Sequence, residues 1–460
     1  MAKTRRRKGA GATDGPTTVP TGSVQTTGRY LVLFREGASK EAMNVLSKNV
    51  GIGKMVRSAD FKSGAVDIEA VPSEAGLVLD QLGVAVVSAS PEQFQIMSAA
   101  AGETSAIEAV EPEQIMYAIM GGSLDPGGAS GSFVSVSTEY LRGFRDGVST
   151  VYSQLTGAGP AAAALVEAEA AFADTAQLTW GLQATRVASS RATGAGIRVA
   201  VLDTGFDLRH PDFRVRPIVS QSFISGQTVQ DGNGHGTHCI GTAMGPLQPP
   251  QPPGVRRYGC AHGASIFVGK VLSNQGSGAD AGILAGINWA IQNQCRVISM
   301  SLGAPVQPGE PFSPVYENVA RRALQAGCLI VAAAGNDSDR RVGNIRPVGR
   351  PANCPSIMAV AAVDSNLQIA FFSNRGVNPN GGQVDIAGPG VAVFSSWPMA
   401  QRYNTISGTS MATPHVAGIA AMHSQSQGVT GVALFQTLQR TARRLVMPSA
   451  DVGAGLVQAP

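Results

Sequence analysis

The chain has 460 residues, more than a typical single domain holds, so at least two folded units are expected. Hydrophobic residues make up 43% and charged residues 14%, which excludes a chain that is disordered throughout, and no apolar run reaches the roughly 18 residues of a membrane-spanning helix. The net charge of +4 comes from a basic cluster within positions 3–8, because the remaining 30 basic residues face 31 acidic ones. A near-neutral folded part gives no reason to expect a nucleic-acid partner.

The N-terminal residues 1–27 are polar and rich in Gly, Thr and Pro, so we expect a disordered basic tail. The basic start is not followed by the apolar segment of about 7–15 residues that marks a secretory signal. A cytoplasmic location is therefore favoured, with secretion by another route as the alternative. The five cysteines are an odd number without a C-x-x-C pair, which predicts mostly buried free thiols.

Residues 28–119 predict a small α+β domain. Tyr30–Phe34, Ala65–Ala70 and Ala106–Val110 have the composition of strands, and Ser39–Asn49 carries its apolar residues on one side of a helix. Residues 120–175 then predict a Gly-rich linker with a helical insert, with helices at about Ser137–Leu155 and Pro160–Ala173.

Residues 176–460 alternate strand and helix patterns, which predicts an α/β domain with a doubly wound, mostly parallel sheet and helices on both faces. The predicted strands are Ile197–Leu202, Ile266–Leu272, Val297–Leu302 and Leu329–Ala334. Helices are predicted over residues 278–292 and 314–326. In such sheets the functional site forms beyond the carboxyl ends of the strands. Asp203 and Asn336 each closely follow a predicted strand, where that rule places reactive groups.

Three short strings in this region carry a carboxylate, an imidazole and a hydroxyl: Asp203-Thr204-Gly205, His235-Gly236-Thr237-His238 and Gly408-Thr409-Ser410-Met411-Ala412-Thr413-Pro414. A serine hydroxyl is a poor nucleophile unless a neighbouring base takes its proton and a carboxylate orients that base. Helical runs at Cys239–Met244 and Met411–Met422 place His235 and Ser410 at helix N-termini, whose free N–H groups suit a developing negative charge.

With these strings in the order Asp, His, Ser, residues 176–460 resemble the subtilisin-like serine peptidases, the subtilase family. The resemblance implies a serine endopeptidase in which Ser410 is the nucleophile, His235 the general base and acid, and Asp203 the orienting carboxylate. It also implies that Asn336 and the Ser410 N–H form an oxyanion hole.

The resemblance extends to the substrate cleft. Gly276-Ser277-Gly278 and Ser301-Leu302-Gly303 are similar to the two edges between which the family binds substrate as an added strand, and Ala333-Ala334-Gly335 to its pocket wall. Only small apolar side chains line that wall, which predicts cleavage after medium or large uncharged residues of protein or peptide substrates.

The segment Val110–Ile119 resembles the end of a subtilisin propeptide, which lies in the cleft as a product-like strand. This implies a self-processing zymogen in which residues 28–119 act as an intramolecular inhibitor and Ile119 or Met120 occupies the pocket. The roughly fifty residues that follow depart from the family pattern and leave the maturation site open.

No cofactor is expected for the chemistry, and the histidine spacing predicts no metal centre. The resemblance makes a structural calcium possible; its ligands are unknown, and Asp207, Asp231 and Asp364 are candidates by residue type alone. Two other activities use the same acyl-enzyme: a peptide transpeptidase or cyclase, and an intracellular processing peptidase with one target. A binding module without activity is disfavoured, because every catalytic position is filled.

Overall fold

The computed structural model describes residues 25–61, 66, 71–72, 75–102, 104–119, 171–250 and 254–460. The predicted basic tail lies almost entirely outside these residues, as do most of the predicted strand Ala65–Ala70, the helix Ser137–Leu155 and all but the end of Pro160–Ala173. Within the described part of the chain, no helix is long and apolar enough to cross a bilayer.

Residues 25–119, called here the N-terminal unit, form a sheet with helices on one face. Its elements are β1 (Thr26–Phe34), α1 (Ser39–Val45), a π-helical turn (Leu46–Val50), β2 (Met55–Arg57), a 3-10 turn (Ser58–Asp60), β3 (Gly76–Leu79), β4 (Val84–Ser88), α2 (Pro91–Ala100) and β5 (Ile107–Ala118). β1 is central and pairs antiparallel with β4 and β5. Alternate β1 residues such as Val32 and Phe34 pack against Leu46 and Met97 on the helical side.

The larger region, residues 171–460, contains eleven strands and seven helices among its described residues. The strands are β6 (Arg198–Asp203), β7 (Ile218–Ser222), β8 (Ser265–Lys270), β9 (Ser277–Ala279), β10 (Val297–Met300), β11 (Leu302–Gly303), β12 (Leu329–Ala333), β13 (Met358–Val363), β14 (Ile386–Pro389), β15 (Val393–Ser396) and β16 (Tyr403–Ile406). The helices are α3 (Trp180–Ala184), α4 (His235–Met244), α5 (Asp280–Gln292), α6 (Pro314–Gln325), α7 (Thr409–Gln427), α8 (Gly431–Thr441) and α9 (Ser449–Val452), with 3-10 turns at Val187–Ser189, Pro211–Phe213 and Arg340–Val342.

Seven of these strands form one parallel sheet in the order β14-β13-β12-β10-β6-β8-β7. Both faces are buried, because successive residues of a strand enter different cores. Ile298 and Ile330 pack with residues of α5 and α6, whereas Val297 and Leu329 pack with residues of α4 and α7. The prediction of a doubly wound parallel sheet is confirmed.

A second seven-stranded sheet joins the two parts of the molecule through β5. Beyond the N-terminal unit, this strand pairs antiparallel with β11, where Ala118 faces Leu302, and with β9, where Met116 faces Gly278. The same twelve-residue strand therefore belongs to the sheet of the N-terminal unit and to the edges of the larger region.

Two glutamates of β5 cap two helices of the larger region. Glu113 Oε1 accepts a hydrogen bond from the Ala281 N–H in the first turn of α5 (2.8 Å). Glu111 accepts from the Val315 N–H (2.9 Å) and from the Ser313 hydroxyl (2.6 Å) at the start of α6. Carboxylates at helix N-termini satisfy free N–H groups and interact favourably with the helix dipole.

Differences from the predicted elements concern boundaries and several elements that the sequence patterns do not predict, among them the helices α2 and α8. The predicted strand Val297–Leu302 is divided between β10 and β11, because the chain leaves the parallel sheet at Ser301 and turns towards β5. α4 begins at His235, earlier than the predicted Cys239, and α7 begins at Thr409. The strands β7 and β13 to β16 are also absent from the predicted elements; β7 and β16 are only five and four residues long and mix polar with apolar residues, so their pattern is weak.

The carboxyl group of Asp385 predicts a pH dependence of stability. Burial raises its pKa to about 7, although its Oδ2 accepts a hydrogen bond from the Ala359 N–H (2.8 Å). A raised folded-state pKa means that the folded chain binds this proton more tightly, so the contribution is full at low pH and is lost as pH rises through about 7. We expect Asp385→Asn, which retains an acceptor for the Ala359 N–H, to have a higher melting temperature than its parent at about pH 8. The difference between the melting temperatures at about pH 5 and about pH 8 should be smaller in the variant than in the parent.

Thermal unfolding should be measured in a Ser410→Ala background, so that the activity implied by the resemblance does not affect the transition. Asp364→Asn is the control, since it also exchanges a carboxylate for an amide. An Asp385→Asn melting temperature that keeps the pH dependence of the parent would contradict the expectation.

Candidate active site

Asp203 and His235 are in contact at the carboxyl edge of the parallel sheet. Asp203 ends β6 and His235 begins α4, and both side chains are buried. Asp203 Oδ1 lies 2.8 Å from His235 Nδ1 and also accepts from the Thr204 N–H at 2.7 Å. His235 Nε2 is buried without a hydrogen-bond partner among the described residues. An imidazole whose Nδ1–H is held by a carboxylate has Nε2 available to accept a proton.

The close approach of these two segments requires glycine. A Cβ on Gly236 would lie 2.3 Å from Gly205 O, and Gly205 itself has a positive φ of 106° with Val229 O 2.2 Å from the position of a Cβ. Both contacts are shorter than a side chain tolerates, so the glycines of the first two motifs allow the Asp203 and His235 segments to pack together.

Asp231 forms hydrogen bonds with both the Asp203 and the His235 segments. Its carboxylate accepts from the Thr204 hydroxyl (3.0 Å) and from the N–H groups of Asn233 (3.0 Å), Gly234 (2.8 Å) and Thr237 (2.9 Å). Thr204 Oγ1 in turn accepts from the Gly236 N–H at 2.8 Å. The sequence offered Asp231 only as a calcium candidate. Asp231 lies four residues before His235, but its contact with Thr204 spans 27 residues of the chain, so no local pattern indicates this supporting role.

Ser410 lies in the first turn of α7 and faces the end of β5. Its Oγ is 2.5 Å from the carbonyl oxygen of Ile119 and 3.1 Å from Ser301 O. Asn336 Nδ2 donates to the same Ile119 oxygen at 3.2 Å. Two hydrogen bonds from Thr409 orient the Asn336 side chain: Asn336 Oδ1 accepts from the Thr409 N–H (2.9 Å) and from the Thr409 hydroxyl (2.8 Å). A hydroxyl and an amide donor thus converge on one peptide carbonyl.

The two segments predicted as cleft edges flank the strand that leads to this carbonyl. Gly276 O accepts from the Ala118 N–H (2.8 Å), and Ser301 O lies 3.2 Å from the Ile119 nitrogen, whose N–H it accepts. The register places Tyr117 opposite both Ser277 and Gly303, Met116 opposite Gly278, and Ala118 opposite Leu302. Residues 115–119 therefore occupy the cleft as the middle strand of three.

A cavity of about 210 Å³ lies beside Ile119. Gly303, Gly335 and Asp337 are among the residues that line it. A Cβ on Gly303 would lie 3.0 Å from Ile119 Cδ1, so glycine there makes room for this side chain. Of the three residues predicted as the pocket wall, Gly335 lines the cavity, whereas Ala333 and Ala334 are fully buried.

The environment of His235 differs from that of the other histidines. Burial acts to lower its pKa, but the Asp203 carboxylate, assisted by Cys239, outweighs burial and holds the pKa well above 6.5. Burial lowers the pKa of His238 to about 3 and that of His415 to about 4. His210, His238, His415 and His423 each place a ring nitrogen within 3.0 Å of a backbone carbonyl, and His262 lies 3.4 Å from Arg257.

Among the described residues, one group of possible metal ligands is close together: Asp203, His235 and Cys239. Their positions are explained by the Asp203–His235 hydrogen bond and by Cys239 Sγ, which lies 3.6 Å from Ser410 O. The calcium candidates Asp207, Asp231 and Asp364 all accept hydrogen bonds from N–H groups, and structural calcium stays a prediction. All five cysteines are free and buried.

Comparisons with known proteins identify the family. Residues 194–455 match the model of the subtilase family of peptidases. Subtilisin DY from Bacillus licheniformis is 39% identical over 242 residues, which are 52% of this chain and 81% of that protein. Subtilisin E from Bacillus subtilis is 40% identical over 52% of this chain and 58% of its own length, and a thermostable alkaline protease from Halalkalibacterium halodurans is 41% identical over 61% and 72%. The chain therefore belongs to the subtilase family and is a subtilisin-like serine endopeptidase.

Proposed function

We propose that the chain is a zymogen that cleaves its own Ile119–Met120 bond and then hydrolyses other peptides through Asp203, His235 and Ser410. The observation that carries this proposal is the convergence of Ser410 Oγ and Asn336 Nδ2 on the Ile119 carbonyl oxygen. The N-terminal unit is then the propeptide, and its last strand inhibits the enzyme by filling the cleft.

The reaction begins when Ser410 Oγ attacks the carbonyl carbon and His235 Nε2 takes the hydroxyl proton. The negative charge that develops on the carbonyl oxygen is stabilised by Asn336 Nδ2 and by the Ser410 N–H, which has no intrahelical acceptor in the first turn of α7. Collapse of this intermediate breaks the C–N bond, and the leaving amine takes the proton from His235. Water then hydrolyses the ester, again with His235 as base and acid.

Hydrolysis after uncharged residues is proposed for other substrates as well. Ile119 is apolar, and its side chain lies against Gly303. An uncharged side chain gains free energy from burial there, whereas a charged one loses hydration. Asp337 is in the cavity lining, but its Oδ2 already accepts from Asn374 Nδ2 at 2.8 Å.

Self-cleavage is tested by Ser410→Ala. We expect the purified variant to remain the 460-residue precursor, because the only proposed nucleophile is removed. The wild-type chain should yield an N-terminal fragment with the mass of a chain that ends at Ile119. Intact-mass spectrometry measures both. Ser299→Ala is the matched control, since Ser299 is fully buried and its hydroxyl has no partner in the described structure. Normal cleavage of the Ser410→Ala protein would contradict the proposal.

The role of Asn336 is tested by Asn336→Leu. The corresponding amide of subtilisin contributes about 10²–10³ in kcat, and we expect a loss of that order here, because the amide donates to charge that is present mainly in the transition state. KM should change much less than kcat. Steady-state kinetics on a peptide substrate measure both values, and a loss expressed chiefly in KM would argue for substrate binding alone.

The pKa of His235 predicts the pH profile. The imidazole must be neutral to accept the Ser410 proton, and its pKa is held well above 6.5 by Asp203. Activity should therefore rise with pH through a midpoint that lies above 6.5 and reach its plateau in the alkaline range. The profile of kcat/KM against pH at constant ionic strength measures this midpoint, and a value at or below 6.5 would be inconsistent with the electrostatics described here.

A further inference from the structure

Asp280 binds the strand in the cleft beyond the residues that pair with β9 and β11. It is the first residue of α5, follows β9 directly and is fully buried. Its Oδ2 accepts a hydrogen bond from the backbone N–H of Gln114 at 2.9 Å. Gln114 is the sixth residue on the N-terminal side of the Ile119 carbonyl. The contact is therefore made by a side chain of the larger region and a main-chain group of the occupying strand.

The carboxylate is held in this orientation by two other residues of the larger region. Tyr316 donates its hydroxyl to Asp280 Oδ1 at 2.9 Å, and Arg350 donates Nη2 to Oδ2 at 2.9 Å. The Arg350 side chain is only 8% exposed, and its Nε has no partner among the described residues. Both oxygens thus accept from donors that belong to the larger region and not to the strand, and a charged acceptor binds an N–H more strongly than a neutral one.

We propose that Asp280 forms a sixth subsite, which binds the backbone N–H of extended peptide substrates and favours segments with at least six residues before the cleaved bond. The proposal rests on the endopeptidase function proposed above. Because the group recognised is a main-chain N–H, the subsite selects the length and extended conformation of the substrate and not its side chain. The natural substrates it favours are accessible, extended segments of proteins.

The neighbouring position provides an internal control. The N–H of Ile115, the fifth residue before the bond, donates to Gln25 O of the N-terminal unit at 3.0 Å. The partner of this N–H therefore belongs to the N-terminal unit and is absent when a separate peptide binds in the cleft. Removing the N–H at this position should affect hydrolysis much less than removing it at the sixth position.

The test uses three fluorogenic peptides with the sequence of residues 113–119 before the leaving group. One is unmodified, one is N-methylated at the position of Gln114, and one is N-methylated at the position of Ile115. We expect kcat/KM on the self-processed wild-type enzyme to fall about tenfold for the sixth-position peptide and at most about threefold for the fifth-position peptide. Ratios between peptides on one enzyme preparation are independent of the active fraction.

The variant Asp280→Ala should hydrolyse the unmodified and sixth-position peptides at nearly equal kcat/KM, whereas the control variant Asp364→Ala should keep the wild-type ratio. If Asp280→Ala does not fold, the three wild-type ratios still decide. Equal effects of methylation at the two positions, or none at the sixth, would overturn the proposal and restrict the Asp280 contact to the N-terminal unit. Failure of the wild-type enzyme to cleave even the unmodified peptide would instead contradict the proposed function.

Discussion

The Asp231 carboxylate, which does not touch the Ile119 carbonyl, holds together the two chain segments on which the site depends. Its oxygens bind Thr204, which follows Asp203, and the turn that leads into His235. Glycines at 205 and 236 let those segments approach closely enough for one carboxylate to reach both. The 2.8 Å contact between Asp203 and His235 is therefore a product of backbone packing that this buried anion stabilises.

The connection between the parallel sheet and the cleft edge at Ser301 is a second constraint on the site. The chain leaves β10 there and enters β11 at the next residue, so the segment that ends a core strand also forms one wall of the cleft. Ser301 links these roles directly: its hydroxyl donates to Ser410 O, and its carbonyl accepts the Ile119 N–H. Ser301 therefore contacts both the occupying strand and the first turn of α7 from the point where the chain leaves the sheet.

Much of this arrangement could be predicted from the sequence because it depends on local patterns. Buried strands ending in Asp203 and just before Asn336, and helices starting near His235 and Ser410, follow from apolar runs and Gly-rich turns. The role of Asp231, the Asp280–Arg350 pair and the capping by Glu111 and Glu113 could not be predicted in this way. Each joins residues far apart in sequence, such as Glu113 and Ala281, and a single charged residue carries no signal of its distant partner.

Release of the N-terminal unit, as proposed above, would remove both glutamate caps from the larger region. While β5 is in place, the N–H groups of Ala281 and Val315 are bound by carboxylates of another part of the chain. Departure of that strand returns both amides to water and removes negative charge from two helix N-termini, so the first turns of α5 and α6 open more readily. Deuterium uptake at these two amides would therefore measure the fraction of molecules from which the N-terminal unit has departed.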